Sequence, residues 1–278
     1  TIIPGKSGVQ FDVEKAKEII GDGSQASYSI PVTITQPTIT EAVLRERLFR
    51  DTLARTATNL NEGNAPRTNN VRLAAKAING TILNPGDVFS YNTVVGERTQ
   101  ARGYQEAHAY SGGKIIDEFG GGVCQPSSTL YMAVLRADLE VVERHNHSFT
   151  VSYTPLGEDA TVDYGNLDFR FANNTAYPIK ILAEQTDGQM IMTIIGTKTS
   201  DKTVATRTEV LETYKPETVE KQDSSLAAGE TQVETSGITG YSTRTYKVIT
   251  ENGKTTEVLA NKSTYSKRDE VVCVGTGS

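Results

Sequence analysis

The stretch GGGVCQPSSTLY, Gly120 to Tyr131, places one of only two cysteines behind three glycines and ahead of a helical pattern. Three consecutive glycines permit backbone conformations with positive φ and let other groups approach closely. Pro126 fits the first turn of a helix, where its missing N–H costs nothing, and apolar residues then recur at helical spacing as far as Asp138. The pattern predicts that Cys124 lies at a helix N-terminus, where free N–H groups and the helix dipole favour a thiolate.

A cysteine in this setting is a candidate nucleophile, whereas most free cysteines are small residues of the core. Cys273, in an alternating strand pattern, fits the second description. Nucleophilic catalysis by cysteine also needs a base, usually a histidine, and the chain has 3 of them: His108, His145 and His147. His145 and His147 alternate at the entrance of a predicted strand, so only one of them can face the sulfur. We expect His147 to be the base, with His145 and His108 as alternatives.

A third group should orient the imidazole of the base and stabilise its charge. Asp159, in the turn Gly157-Glu158-Asp159-Ala160, is the expected partner, and Glu143 is the alternative. Both carboxylates also fit ordinary roles, because acidic residues commonly cap turns or lie in solvent. The sequence thus predicts that Cys124, His147 and Asp159 form a site for acyl transfer.

Several residues near these three are candidate substrate contacts. A guanidinium such as that of Arg144 binds carboxylates through two parallel N–H groups, although an ordinary surface arginine would look the same. Backbone N–H groups at Cys124 and at the glycines before it are candidate donors to an oxyanion. The remaining candidates are Gly122, Gln125 and Tyr104.

A metal site is the competing chemistry, because one cysteine and the histidines of the same region can ligate zinc. The chain has neither CxxC nor HxxxH spacing, and the pair His145-x-His147 alone is a weak signal. We therefore expect no metal and no other cofactor.

Composition restricts the class of protein further. The 278 residues exceed one average domain, which predicts two or three domains. A net charge of −6 spread along the chain argues against a nucleic-acid partner. No apolar run approaches the roughly 18 residues of a membrane span, and two distant cysteines do not form a disulfide framework. Because the chain opens at Thr1 without a signal peptide, we expect its targeting segment to lie outside this stretch.

Changes in pattern divide the chain into three parts, residues 1–48, 49–200 and 201–278. The first part is too small to fold alone and is typical of the end of a domain that starts upstream. The middle part has helical patterns first and a run of strands afterwards, which indicates an α+β fold. The last part is rich in Thr, Glu, Lys and Val, and its short solvated strands alternate with glycine turns, as in an elongated all-β module.

The individual elements follow from periodicity and capping residues. In the first part we predict a helix over residues 14–20 and a strand over 28–35. A second helix, capped by Thr38 or Thr40, is predicted as far as Leu53. The middle part contains a predicted helix over 69–80. Its predicted strands are residues 88–91, 149–153, 160–164, 167–171, 179–182 and 189–195. Glu251-Asn252-Gly253-Lys254 predicts a hairpin turn in the last part.

Ordered motifs run through the middle part of the chain. They read Arg67-Thr-Asn-Asn-Val-Arg-Leu-Ala-Ala, Ile78-Asn-Gly-Thr-Ile-Leu-Asn-Pro-Gly-Asp-Val-Phe-Ser-Tyr-Asn92, Val95-Gly-Glu-Arg-Thr-Gln-Ala-Arg-Gly-Tyr104, GGGVCQPSSTLY, Glu143-Arg-His-Asn-His-Ser148, Tyr153-Thr-Pro-Leu-Gly-Glu-Asp-Ala160 and Leu167-Asp-Phe-Arg-Phe-Ala-Asn-Asn174. Over roughly residues 50–198 they resemble the VanW family. His147 matches the family's His-Ser position, whereas His145 and His108 have no obvious match. Pro126 departs from the apolar residue, often Val, that usually follows Cys-Gln in the family.

The flanking parts carry resemblances of their own. The segment before residue 45 is similar to the peptidoglycan-binding domain that often precedes a VanW domain. The last part resembles the G-five (G5) domain, a module of wall and glycan adhesion that is named for its glycines. The glycines that fall where this pattern needs them are Gly229, Gly237, Gly240, Gly253 and Gly275.

The resemblance implies an activity and a location. Some clostridial members with this domain order are L,D-transpeptidases that are unrelated to the usual cysteine transpeptidase fold. The implied reaction moves an acyl group from the L,D bond of a tetrapeptide stem to Cys124. The acyl group then passes to the side-chain amine of a neighbouring diaminopimelate, which forms a 3–3 cross-link. The implied partners are peptidoglycan stem peptides and glycan, in the wall or at the membrane of a Gram-positive cell.

Two alternatives remain open from the sequence. One is a non-catalytic protein that binds or scaffolds the wall and in which Cys124 is structural. The other is an L,D-carboxypeptidase or amidase that uses the same cysteine, with water in place of the acceptor amine.

Overall fold

The computed structural model divides into two compact units, residues 1–50 and 51–278. It describes residue 2 and the ranges 5–111 and 114–277, without the side chains of residues 108–117. Cys124 and all the other candidate site residues belong to the larger unit.

The smaller unit pairs two short strands and carries two helices. Its elements are β1 (Gly8–Gln10), α1 (Val13–Ile20), β2 (Thr33–Thr35) and α2 (Glu41–Arg47). The helix predicted over residues 14–20 is confirmed, because the Asp12 side chain caps its first turn and Gly21 ends it at positive φ. The strand predicted over 28–35 is shorter, since only three residues of β2 pair with β1, in antiparallel register.

The helix predicted over residues 40–53 is wrong in its second half. The Thr40 hydroxyl caps α2, but that helix ends at Arg47. Strand β3 (Asp51–Asn59) follows, and alternate side chains near its middle turn toward the core. Leu53 therefore belongs to a strand, because a run rich in threonine pairs along its length with a long neighbouring strand.

A four-stranded antiparallel sheet forms the centre of the larger unit. In spatial order it contains β3, β11 (Gln189–Gly196), β10 (Ile179–Thr186) and β4 (Ile82–Leu83). Two helices pack on this sheet: α3 (Ala65–Ile78) against β10, and α5 (Cys124–Arg136) against β3 and β11. The main hydrophobic core lies between these helices and the sheet.

One core helix starts earlier than the sequence predicts, and the other starts where it is predicted. Helix α3 begins at Ala65 with Asn64 as its cap rather than at residue 69, whereas α5 begins at Cys124 and has Pro126 in its first turn. Every residue of α5 from Gln125 to Leu135 is buried. The hydroxyl groups of Ser128 and Thr129 are accommodated because they donate to carbonyl groups of the preceding turn.

Smaller elements connect the two helices and the sheet. They are β5 (Val88–Ser90), α4 (Tyr91–Val95), a 3₁₀ turn (Gln100–Arg102), β6 (Glu106–Ser111), β7 (Lys114–Phe119), β8 (Glu140–Glu143) and β9 (Arg170–Ala172). Strands β6 and β7 form a hairpin, whereas β5, β9 and β8 form a three-stranded sheet. The rings of Phe89 and Phe171 stack across this small sheet with centroids 5.0 Å apart.

Residues 149–153 do not form the predicted strand. Their rings pack one by one against other groups: Phe149 lies 5.8 Å from the Arg268 guanidinium, and Tyr153 meets the His147 ring edge-on. An alternating pattern alone cannot distinguish such a loop from a strand.

Two further predicted strands differ from the structure. Residues 160–164 make only single bridges, at Thr161 and Asp163, because the backbone of Val162 bonds to the sulfur of Cys124. The strand predicted over 167–171 is β9, which starts only at residue 170.

The C-terminal part is all-β and consists of two three-stranded sheets. In spatial order they are β12 (Thr203–Tyr214), β15 (Gly240–Glu251) and β16 (Lys254–Tyr265), then β13 (Thr218–Ala227), β17 (Glu270–Gly277) and β14 (Thr231–Thr235). Asn252 and Gly253, both at positive φ, form the predicted hairpin turn between β15 and β16. These two strands are longer than predicted, and their buried Thr245, Ser263 and Tyr265 contact the central body. The predicted α+β body with an all-β C-terminal module is confirmed.

Candidate active site

The glycine run brings two arginines against the start of α5. Gly120 and Gly122 have φ angles of +89° and +101°. A Cβ atom on Gly120 would lie 2.6 Å from Cβ of Arg98, and one on Gly122 would lie 2.6 Å from Cγ of Arg67. Any other residue would combine an unfavourable backbone with a displaced side chain. The glycines therefore provide clearance for two cationic side chains.

The sulfur of Cys124 faces the segment that follows the turn at residue 157. The Val162 N–H donates to Sγ at 3.5 Å, and the Thr161 hydroxyl lies 3.6 Å from it. Ser128 holds this segment to α5, because its hydroxyl accepts from the Ala160 N–H at 3.0 Å and donates to the Cys124 carbonyl at 2.7 Å. The sulfur thus lies on the first residue of a helix and receives an N–H donor.

His147 is the histidine that interacts with the sulfur. Its Nδ1 lies 2.6 Å from Oδ2 of Asp159, which leaves Nε2 to face Cys124. The Tyr153 hydroxyl is 3.4 Å from the same Nε2. The fold therefore brings together the three residues that the sequence nominates for catalysis.

Asp159 is buried and uses both of its carboxylate oxygens. Oδ2 accepts from Nδ1 of His147 at 2.6 Å and from the His147 backbone N–H at 2.7 Å. Oδ1 accepts from Nη2 of Arg144 at 2.9 Å and from the hydroxyl of Tyr265 at 2.5 Å. A carboxylate offers about four acceptor positions, so these donors fix its orientation and thereby that of the imidazole.

The charges of the site favour an ion pair between His147 and Cys124. Burial raises the pKa of the Cys124 thiol. The hydrogen bond and charge of His147, together with hydrogen bonds from Val162 and Thr161, lower it by more, so the pKa falls below 9.0. Burial lowers the pKa of His147, yet Asp159 and Cys124 raise it from 6.5 to about 9. Both shifts therefore act in the direction of an imidazolium beside a thiolate.

Asp159 is the fixed negative charge behind this pair. Burial raises the pKa of its carboxyl group, but the hydrogen bond and charge of His147 and the charge of Arg144 hold the pKa below 3.8. The carboxylate therefore stays ionised near neutral pH.

Arg144, a candidate for binding a substrate carboxylate, is directed inward instead. Its side chain is 5% exposed. Its guanidinium donates to the Asp159 carbonyl at 2.6 Å, to the Asp159 carboxylate, and to the Ser263 hydroxyl at 2.8 Å. The geometry favours a role in holding Asp159 over a role in substrate binding.

The other candidate substrate contacts are also enclosed. The Gln125 amide donates to the Thr58 hydroxyl at 2.9 Å and accepts from Arg67 at 2.8 Å. Tyr104 is 3% exposed and belongs to the hydrophobic core. Gly122 serves the backbone turn described above. In the described structure these residues pack inside the protein next to the site and do not line an open surface.

The alternative histidines lie elsewhere. His145 is partly exposed, and its Nε2 lies 3.1 Å from the carboxylate of Glu143. Glu143, the alternative to Asp159, therefore pairs with His145 and not with His147. The backbone of His108 pairs with Asp117 in the β6–β7 hairpin, and its side chain lies outside the described residues.

The two arginines beside the glycines have no counterpart among the sequence predictions. Arg67 faces Gln125 as described, and burial lowers its pKa, although Tyr153 and Cys124 act in the opposite direction. The guanidinium nitrogens of Arg98 are enclosed and have no acceptor within the described part of the chain. The guanidinium carbon Cζ of Arg98 lies over the rings of Tyr91 and Tyr164, 5.5 Å and 5.7 Å from the ring centroids.

Tyr265 and Ser263 are the site residues that sequence reasoning missed. They lie more than 100 positions from Asp159 and Arg144, with sequence separations of 106 and 119. A tyrosine and a serine in an alternating strand carry no local signal of such a role.

The helices of the described chain include none long and apolar enough to cross a bilayer.

Comparison with known proteins divides the larger unit between two families. Residues 66–195 match the family model of the VanW like protein, and residues 205–277 match that of the G5 domain. An IgA1 protease G5 domain structure is similar to 29% of this chain and to 98% of its own length, at 17% sequence identity and a TM-score of 0.21.

Two curated relatives are similar to the chain in sequence. The protein YoaR of Bacillus subtilis is 37% identical over 198 residues, which are 70% of this chain and 65% of YoaR. The vancomycin B-type resistance protein VanW of Enterococcus faecalis is 29% identical over 134 residues, which are 46% of this chain and 49% of VanW. The chain thus spans less than two thirds of the length of either relative. It carries a VanW-like domain followed by a G5 domain.

Proposed function

We propose that this chain is a cell-wall L,D-transpeptidase that forms 3–3 cross-links in peptidoglycan through a thioacyl intermediate on Cys124. The observation that carries the proposal is the interaction of Cys124 with His147, whose Nδ1 lies 2.6 Å from the buried carboxylate of Asp159. A thiolate at a helix N-terminus, paired with an imidazolium that a carboxylate orients, is the arrangement that cysteine acyl transfer needs.

The first half of the reaction forms the thioester. The thiolate of Cys124 attacks the carbonyl carbon of the L,D amide bond in a tetrapeptide stem, and the carbonyl oxygen becomes an oxyanion. The Cys124 N–H at the start of α5 is the candidate donor to that oxyanion, because the N–H groups of Val123 and Gln125 already donate to the carbonyl groups of Gly120 and Gly122. As the C–N bond breaks, the imidazolium of His147 gives its proton to the departing amine of the terminal D-amino acid.

The second half transfers the acyl group. His147, now neutral, accepts a proton from the side-chain amine of a neighbouring diaminopimelate while that nitrogen attacks the thioester. The C–S bond breaks, and the thiolate and imidazolium return to their starting states. Asp159 keeps the imidazole in one orientation throughout and stabilises its positive form.

The substrate assignment has a separate basis from the chemistry. The motifs between residues 50 and 198 resemble those of clostridial L,D-transpeptidases with the same domain order. One relative is named as a vancomycin B-type resistance protein, and vancomycin resistance concerns the cell wall. G5 domains occur in surface proteins, which supports a location outside the cell.

The test is incubation of the protein with purified disaccharide-tetrapeptide, with the products measured by mass spectrometry. We expect a cross-linked dimer minus one D-alanine from the wild type and from Cys273→Ala, and none from Cys124→Ala. A tripeptide without dimer would indicate an L,D-carboxypeptidase that uses water. Identical products from wild type and Cys124→Ala would contradict catalysis by Cys124 and favour a wall-binding protein.

A further inference from the structure

The carboxylate that orients His147 is bonded by a residue of the G5 domain. Tyr265, the last residue of β16, is 1% exposed. Its hydroxyl donates to Oδ1 of Asp159 at 2.5 Å and accepts from the backbone N–H of Gly157 at 2.8 Å. This neutral donor therefore meets the carboxylate on the oxygen that does not face the imidazole.

Tyr265 belongs to a row of side chains on one face of β16. Residues 261, 263 and 265 point to the same side of the strand, since side chains alternate. The Ser263 hydroxyl accepts from Nη1 of Arg144 at 2.8 Å, and the Asn261 amide donates to the Gly157 carbonyl at 2.9 Å. All three polar side chains thus bond to the turn that carries Asp159 or to the arginine that binds it.

The backbone of that turn fits closely against the neighbouring strand. Gly157 has a φ of +77°, and a Cβ atom there would overlap the hydroxyl of Thr245 in β15. The Thr208 hydroxyl of β12 also donates to the carbonyl of Leu156, at 2.9 Å. Three strands of the G5 domain therefore hold residues 156–159 in place.

We propose that the G5 domain completes the catalytic site, with Tyr265 and Ser263 as positioning residues that act through Asp159 and Arg144. The effect on catalysis rests on the proposed function, whereas the effect on the reactivity of Cys124 can be tested without it. Each of the two oxygens of Asp159 has two donors, and the loss of the Tyr265 hydroxyl leaves Oδ1 with Arg144 alone. A carboxylate with one fewer donor is held less firmly, and it therefore orients the imidazole less firmly.

The experiment compares Tyr265→Phe with Tyr246→Phe in the full chain. Tyr246 lies in the same domain, and its hydroxyl donates to the exposed Glu209 at 3.2 Å, so it controls for the loss of one hydroxyl group. The first readout is the rate at which iodoacetamide alkylates Cys124 as a function of pH. It needs no substrate, and circular dichroism and thermal unfolding check that each variant is folded.

We expect Tyr265→Phe to be alkylated about 10-fold more slowly than wild type below neutral pH and at the same rate at high pH, where the thiol is ionised in both. Tyr246→Phe should follow the wild-type profile. In the cross-linking assay, kcat of Tyr265→Phe should fall by about 10-fold or more while KM stays within about 2-fold.

Several outcomes would overturn the inference. They are a pH profile of Tyr265→Phe that superimposes on that of wild type, an equal loss in Tyr246→Phe, or a uniform loss at every pH. If Tyr265→Phe does not fold, Ser263→Ala decides the question. It removes the acceptor of Arg144, together with the hydrogen bond that Ser263 donates to Asn261, and should shift the profile in the same direction. A shifted alkylation profile in a protein that forms no cross-link would support this inference and refute the proposed reaction.

Discussion

Replacement of His147 by asparagine isolates the effect of the imidazolium on Cys124. Asparagine places an amide N–H near the position of Nδ1, so Asp159 keeps a donor while the cation beside the sulfur is lost. Burial is the largest single influence on the thiol and raises its pKa. We therefore expect Cys124 of the variant to ionise at a higher pH than in the wild type.

The size of the effect follows from the contact that is removed. A hydrogen bond between charged groups contributes about 1.5–3 kcal/mol, which corresponds to roughly a 10- to 100-fold change in an equilibrium constant. Alkylation of Cys124 near neutral pH should slow by about this factor. The wild-type thiolate exists above its lowered pKa and is lost as the pH falls through that value. The two rates should converge once the pH exceeds the pKa of both thiols.

The assay is the rate of iodoacetamide alkylation across pH, followed by mass spectrometry of the peptide that contains Cys124. His145→Asn is the matched control, because His145 is partly exposed and bonds to Glu143. Cys273 is an internal reference, since burial and the charge of Glu234 raise its pKa and it should react slowly in every variant. A His147→Asn profile identical to that of wild type would refute the assignment of His147 as the partner of the thiolate.

Three further predictions concern stability, measured by urea unfolding. Gly122→Ala should destabilise the protein by about 2–3 kcal/mol. Gly165 has a similar φ of +82° but open space around it, so Gly165→Ala should cost only about 1 kcal/mol. Equal costs would contradict the inference that Gly122 makes room for Arg67. Burial raises the pKa of Asp138, but two lysines of the C-terminal part outweigh it, so the pKa of Asp138 in the folded protein is below 3.8. The ionised Asp138 therefore stabilises the fold above pH 3.8, and this stabilisation is lost as the pH falls through the lowered pKa of the folded protein. Asp138→Asn should therefore cost about 1 kcal/mol near pH 7 and nothing near pH 2, and a cost that persists in acid would exclude the charge as its cause. Arg98→Met keeps the aliphatic part of the side chain and removes an enclosed cation that has no acceptor among the described residues. The substitution should therefore raise the urea concentration at the midpoint of unfolding. A lower midpoint would indicate that the two tyrosine rings stabilise the charge fully.

Much of the fold is predictable because local signals and packing agree. The helix that starts at Cys124 is specified by a proline in its first turn and by apolar residues at helical spacing, and the turn at Asn252-Gly253 by residues that favour positive φ. Leu53 was misplaced because its apolar spacing fits a helix, while the threonines around it pair with a strand more than 130 positions away. Register with a distant strand is not visible in a local window.

The sequence predicts the reactive side chains of the site but not the residues that hold them in position. Scarce histidines and a cysteine after a glycine run single out Cys124 and His147. Arg144 was expected to face a substrate because a local pattern cannot show whether a guanidinium points outward or to a buried carboxylate. Tyr265 was missed for the same reason, since its partner Asp159 becomes a neighbour only when two domains pack together.

The row of side chains on β16 also constrains how this protein can change during evolution. Asn261, Ser263 and Tyr265 lie in the G5 domain but bond to groups of the VanW-like domain. A recombination event that exchanged one G5 domain for another would keep the cysteine and the histidine. It would deprive Asp159 of its hydroxyl donor unless the incoming strand carried a tyrosine at the same position. The two domains are therefore expected to be inherited as one unit rather than exchanged as independent parts.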